Sequence, residues 1–249
     1  MMKIFRKIRF DILKNSKTNK YLKYAIGEIV LVVIGILIAL QINLWNEDRK
    51  SHDILTTNLK GVLQELKADS AIVHQVIDIY KKVNQQRIEF INTENYENLS
   101  LGDMEENLEN FTKEPKLEYT YFKKIENSEI TNFGVYTEVM QDLIKYYDIT
   151  IPYLNKTIAT YDEQVIREDE FWRYEQNNYE FNLLDGLKSY QTEKKAKKEL
   201  IKLLKSPRGR TILKIDVRRN LFMIDLLTKL KPDLGQMILN LEEVLNNTN

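Results

Sequence analysis

The chain of 249 residues has two histidines, His52 and His74, and no cysteine. The missing thiols remove disulfides, thiolate metal sites and thiol nucleophiles together. Neither histidine has a Glu three residues before it, as the helical di-iron motif requires. His52 reads as an exposed residue just past an apolar run, and His74 as a residue on the flank of a helical seam. Carboxylates are plentiful at Glu163, Glu168, Asp169, Glu170 and Glu175. Consecutive acids point around a helix rather than converging, so this stretch reads as a solvated face. A divalent cation would need oxygens brought together from several elements. No phosphate-binding Walker loop, Gly-x-Gly-x-x-Gly, Gly-x-Ser-x-Gly or His-Glu-x-x-His occurs. The expectation is therefore no enzyme, no catalytic residue, no metal and no cofactor.

Tyrosines concentrate between residues 119 and 190, at Tyr119, Tyr121, Tyr136, Tyr146, Tyr147, Tyr153, Tyr161, Tyr174, Tyr179 and Tyr190. Phe122, Phe133, Phe171, Trp172 and Phe181 join them. Core filling explains such a set; an aromatic groove for a peptide, glycan or lipid is the functional alternative.

One ionisable residue, Glu28, stands inside an apolar run from Tyr24 to Trp45. As a helix, that run spans roughly 33 Å, against about 30 Å for a hydrocarbon core. Ile29 to Leu40 has no polar face, unlike the helix of a soluble core. Tyr21 and Tyr24 on one side and Trp45 on the other suit the two interfaces. Residues 1–23 carry a net charge of +7 and residues 47–60 a net charge of zero. That asymmetry holds the basic flank, residues 1–23, in the cytoplasm. Ala39-Leu40-Gln41 does not satisfy the small-x-small rule, so the run reads as an uncleaved anchor.

At about 100° per residue, Glu28, Gly35, Ala39, Asn43 and Asn46 project within one sector, and Gln41 points away. Gly35 and Ala39 form a small-xxx-small pair that permits close helix approach. Glu28 either snorkels to the near interface or contacts a partner helix. With no second ionisable group in the run, it makes a poor proton relay. Glu28, Gly35, Ala39 and Asn43 are the candidate partner face.

The stretch from Lys23 to Asn43, followed by Trp45-Asn46-Glu47 and preceded by the basic start Phe5 to Arg9, resembles a family of uncharacterised bacterial single-pass membrane proteins. The similarity is strong over about residues 3–47 and diffuse beyond, where a Tyr146-Tyr147 step and a pattern of helices continue it. It implies a basic cytoplasmic N-terminus, a single span in the bacterial inner membrane and a periplasmic helical region. It implies no chemistry.

Beyond the run, Leu55, Leu59, Val62, Leu66, Asp69, Val73, Val76, Tyr80, Val83, Arg87 and Phe90 recur at 4,3 spacing, with Asp69 and Arg87 as breaks. No Pro precedes residue 115, so one long helix is expected, with a coiled-coil or bundle seam. Leu63, Ile72, Ile77 and Ile79 widen its apolar face towards a bundle. The spacing returns at Met223, Leu227, Leu230, Leu234, Met237, Leu241 and Val244, with a kink or break expected at Pro232. Packing this arm against the long helix is the economical structure. Between them, the sequence predicts a short amphipathic helix within Leu101 to Phe111 and short helices over 117–150, broken around 131–134. A long helix over 152–184 and a basic helix over 187–205 follow, with a turn at Ser206-Pro207-Arg208-Gly209. Leu117 to Phe122 is the single segment that could be a strand.

The fold class expected is all-α: cytoplasmic residues 1–23, a transmembrane helix over 24–46 and an extracytoplasmic helical bundle over 47–249. Charge is segregated, with residues 188–219 at +9. That segment reads as a solvated helix, as a face for an acidic partner or for membrane head groups, or as the internal counterpart of acidic residues 89–118. The chain's net charge is zero, which gives no case for nucleic acid. The expected partners are the lipid bilayer and either a second copy or another membrane protein, met through the transmembrane helix.

Overall fold

A computed structural model describes residues 18–109, 111–175, 177–182 and 187–248, with side chains from Leu22 onward. The basic residues Lys3 to Lys17 and the side chains of Lys20 and Tyr21, invoked for orientation and interface, lie outside the described residues. Every regular element described is helical: α1 (Thr18–Ile91), α2 (Leu101–Glu106), α3 (Thr120–Glu126), α4 (Thr137–Lys145), α5 (Ile151–Arg173), α6 (Glu193–Lys205) and α7 (Pro207–Asn247). By contacts the chain divides into two units, residues 1–55 and 56–249.

In the first unit, α1 carries an apolar window of mean hydropathy 2.6, none of it buried. It is the one helix, among the described residues, long and apolar enough to cross a membrane. The same helix is 74 residues long and ends at Ile91.

In the second unit, the 4,3 stripe of α1 is the buried one. Leu59, Val62, Leu66, Val73, Val76, Tyr80 and Phe90 are buried, and so are the two breaks, Asp69 and Arg87. The opposing stripe is on α7. Lys67 pairs with Glu242, His74 Nδ1 lies 3.1 Å from Lys231 Nζ, and Arg87 pairs with Asp216. Numbers rise along one helix as they fall along the other, so the two run antiparallel. The α7 stripe ends on Leu245 rather than Val244, which is half-buried.

The expected break at Pro232 is absent: α7 is helical throughout. Proline removes one amide donor and frees the carbonyl four residues earlier. Pro232 and Thr228 are both on the exposed side, where water can satisfy that carbonyl. Leu230 and Leu234, buried to either side, hold both halves of the helix in the core.

Two further expectations are corrected, and the one segment allowed as a strand is helical. Residues 120–122 begin helix α3 and no strand forms among the described residues, because a carboxylate from α1 caps that helix start. The helix expected over 152–184 stops at Arg173. Asn177 and Asn178 are poor helix formers, and Tyr179 instead enters the core with its hydroxyl on Glu105 at 2.5 Å. The basic helix begins at Glu193, not 187, and Ser206 alone separates it from α7. Between α4 and α5, a π-helical turn at Tyr146–Thr150 keeps the helix continuous. Its wider winding lets adjacent Tyr146 and Tyr147 both face inward, where Phe122 stacks on Tyr147 at 4.4 Å.

Candidate functional site

Helix α1 places Glu28, Gly35, Ala39 and Asn43 on its exposed surface. A Cβ added at Gly35 would meet nothing within 4 Å, so the backbone there is open to close approach. Asn43 is engaged within the helix, its Nδ2 donating to Glu47 Oε1 at 2.9 Å. His52 is exposed. His74 is also exposed, between Lys231 and Asp78, as a flank residue should be.

The densest polar chemistry is buried in the second unit. Arg219 of α7 meets Glu168 of α5 in a two-pronged pair, at 2.7 and 2.8 Å. Its Nη2 also donates to Asp216 Oδ1 at 2.6 Å. Asp216 Oδ2 accepts from Arg87 Nε of α1 at 3.1 Å. The Arg87 guanidinium also donates to the carbonyls of Glu106, the last residue of α2, and Glu109, just beyond it. Two cations and two anions thus form one neutral cluster joining α1, α5, α7 and the turn after α2. Burial works against the charge on Arg219, but Glu168 and Asp216 more than offset it and hold its pKa above the usual value. Burial also pushes the Glu168 carboxyl up, with Arg219 pulling it back. The arginine pairs are directional and cohesive; every carboxylate in the cluster already accepts from a guanidinium.

A second buried group sits on the same helix. Glu65 of α1 accepts from the backbone amides of Thr120 and Tyr121 at 2.9 and 3.1 Å, satisfying the start of α3. Asp69, one turn on, accepts from the amide of Glu118 at 3.1 Å and from the Tyr146 hydroxyl at 3.4 Å. Burial raises the Asp69 carboxyl to about 6, only partly countered by those two bonds. Burial likewise raises Glu65 against the two amides that lower it. Beside them, the Tyr147 hydroxyl is buried and has no hydrogen-bond partner among the described residues. Gly61 admits the Tyr121 ring: a Cβ there would lie 2.3 Å from it.

Glu168 therefore does not belong to the solvated face expected of it, whereas Glu163 and Glu170 are exposed. Arg87, Asp69 and Glu65 were legible only as seam breaks or not at all. For Asp69 and Arg87 the signal was a charge at a seam position, which demands an opposite charge or a set of amides across the interface; Glu65 stands beside the seam and carried none. The acidic and basic segments do meet: α6 packs on α2 and on the 3-10 turn Tyr96–Asn98. Lys197 donates to the Glu97 carbonyl at 2.8 Å, and Lys205 pairs with Glu97 at 3.4 Å. Of the aromatic residues, Tyr136, Tyr146, Tyr147, Phe122, Phe171, Trp172 and Tyr179 are buried and fill cores, whereas Tyr119, Tyr153, Tyr174 and Tyr190 are exposed. A cleft of about 520 Å³ lies elsewhere, with Arg87, Val83, Phe90 and Phe111 in its walls and Glu89 and Glu106 beside them. No group of three His, Asp or Glu suited to a metal occurs among the described residues.

Fold and sites define a class: among the described residues, a helical protein with one N-terminal helix apolar enough for a membrane and further helices cross-braced by buried charge. A family of unknown function, DUF6090, matches residues 28–140, a span that takes in the apolar helix, Glu65, Asp69 and Arg87. No curated protein and no solved structure matches the chain.

Proposed function

We propose that the chain is a single-pass anchor of the bacterial inner membrane whose helical domain works outside the cytoplasm as a binding or accessory partner in the envelope. The observation that carries this is the unburied apolar run of α1 beside a flank of net charge +7. Lipid accounts for that run. The face of Glu28, Gly35, Ala39 and Asn43 serves as the docking line for a second copy or another membrane protein. In the domain, the buried ion pairs fix helix register rather than turn over a substrate, so the protein acts by holding partners and not as an enzyme. The test is topological. A reporter active only outside the cytoplasm, fused after Asn249, is expected to work. If it is silent while a cytoplasm-restricted reporter works, the reading is overturned.

A second reading, a ligand sensor that signals through a partner membrane protein, is favoured by one feature. Helix α1 is continuous from the apolar run to Arg87, which stands in the wall of a cleft of about 520 Å³. The two readings separate by experiment: for a sensor, substitutions lining the cleft change crosslinking between spans, and for a scaffold they do not.

A further inference from the structure

We propose that the lysine face of α6, together with the exposed apolar side chains just ahead of it, docks on the surface of an anionic phospholipid bilayer. Helix α6 buries Ala196, Leu200 and Leu204. At about 100° per residue, Lys194, Lys195, Lys198, Lys202 and Lys205 fall within a sector about 100° wide on the opposite side. The first four are exposed and form no ion pair among the described residues.

This face differs from an ordinary solvated one. Opposite charges four apart pair on α5 and α7, as Asp169 with Arg173 and Asp225 with Lys229, although α7 also repeats one sign at Arg210, Lys214 and Arg218. On α6 the row Lys194, Lys198, Lys202 repeats one sign at that spacing, which is unfavourable for the isolated helix. An external anion would relieve it.

The second observation selects the bilayer. Leu187 is 69% exposed and Tyr190 95% exposed, six and three residues before the helix begins at Glu193. The turn that carries Tyr190 is braced: its amide donates to Glu180 Oε2 at 2.7 Å, Ser189 Oγ donates to the same oxygen at 3.0 Å, and Gln191 Nε2 donates to the Asn178 carbonyl at 2.8 Å. The chain thus holds Tyr190 in water four residues before the unpaired lysine row, with Leu187 exposed just ahead of it. A soluble polyanion without apolar groups would use the lysines alone. Lysines flanked by an aliphatic and an aromatic side chain suit phosphate head groups above an apolar layer. The proposal does not depend on which side of the anchoring membrane the domain occupies.

The test uses the full chain, with Thr192, which is exposed and makes no capping bond, replaced by Cys and labelled with an environment-sensitive fluorophore. The protein is held in phosphatidylcholine nanodiscs and titrated with vesicles of phosphatidylcholine, with or without phosphatidylglycerol. A blue shift and co-flotation with the anionic vesicles alone are expected, both reversed by high salt. Each lysine near an anionic surface is worth about fivefold in affinity, so Lys194→Gln, Lys195→Gln, Lys198→Gln and Lys202→Gln together should lower it at least a hundredfold. Leu187→Ser with Tyr190→Ser should weaken binding while leaving its salt dependence in place. Unchanged circular dichroism in both variants controls for folding. Equal binding to neutral vesicles, no binding to anionic ones, or retention by the four-lysine variant overturns the proposal. So does tighter capture by soluble polyglutamate than by the anionic vesicles.

Discussion

Replacing Arg219 by Met tests the buried charge cluster most directly. Arg219 is 4% exposed and supplies both donors that Glu168 accepts and one of the two that Asp216 accepts. Its removal strands the Glu168 carboxylate, itself 7% exposed, while Asp216 keeps Arg87. Breaking a buried pair from one side costs roughly 3–5 kcal/mol, because the remaining charge is left desolvated. For a domain of this size, that corresponds to a fall in Tm of roughly 6–20 °C. Removing both partners, with Arg219→Met and Glu168→Leu, should recover most of the loss, since an apolar pair of similar volume is often neutral there. The reporter is built in: Trp172 lies one helical turn from Glu168 and is 3% exposed. Replacing Trp45, the other tryptophan, by Phe leaves Trp172 fluorescence to follow unfolding alone. The cluster has no structural role if Arg219→Met costs under about 1 kcal/mol. The pairing argument fails if the double variant is worse than the single one.

The Asp69 carboxyl, at about 6 in the folded chain, lies above its unfolded value of 3.8. The folded state therefore binds more protons between those values, and stability should rise as pH falls from 7 towards 4. Asp69→Asn should flatten that slope and stabilise the domain at neutral pH by on the order of 2–3 kcal/mol; an unchanged slope in urea titrations at pH 5 and 7.5 rules this out. Gly61→Ala places a methyl on the Tyr121 ring and should destabilise by about 1–3 kcal/mol, with Tyr121→Ala largely relieving the clash in the double variant. A Gly61→Ala protein as stable as the parent would refute the contact. Gly35→Leu with Ala39→Leu should leave insertion intact and weaken association of the spans by about 1–2 kcal/mol, read as crosslinking yield from single Cys positions in this Cys-free chain. Equal yields from all sides of the helix would make the small residues incidental.

The sequence by itself determined what repeats. The apolar run and the 4,3 stripes of α1 and α7 rest on side-chain spacing, and a period of 3.6 residues places those positions on one face whatever lies opposite. The long helix from Thr18 to Ile91 and the buried Leu59, Val73, Leu227 and Leu241 were legible for that reason. Tertiary structure decided what depends on a partner distant in the chain. Residues 120–122 look extended but become helix because Glu65 caps their amides from 55 residues away. The helix over 152–184 is cut short because Tyr179 gains more from the core and Glu105 than from another helical turn. Asp69 and Arg87 look like flaws in a seam, and Glu168 like one more surface acid. Each becomes a buried, bonded group once Glu118, Asp216 and Arg219 are brought to it. A charge out of water is tolerable only beside its partner, and only the packed helices supply that partner.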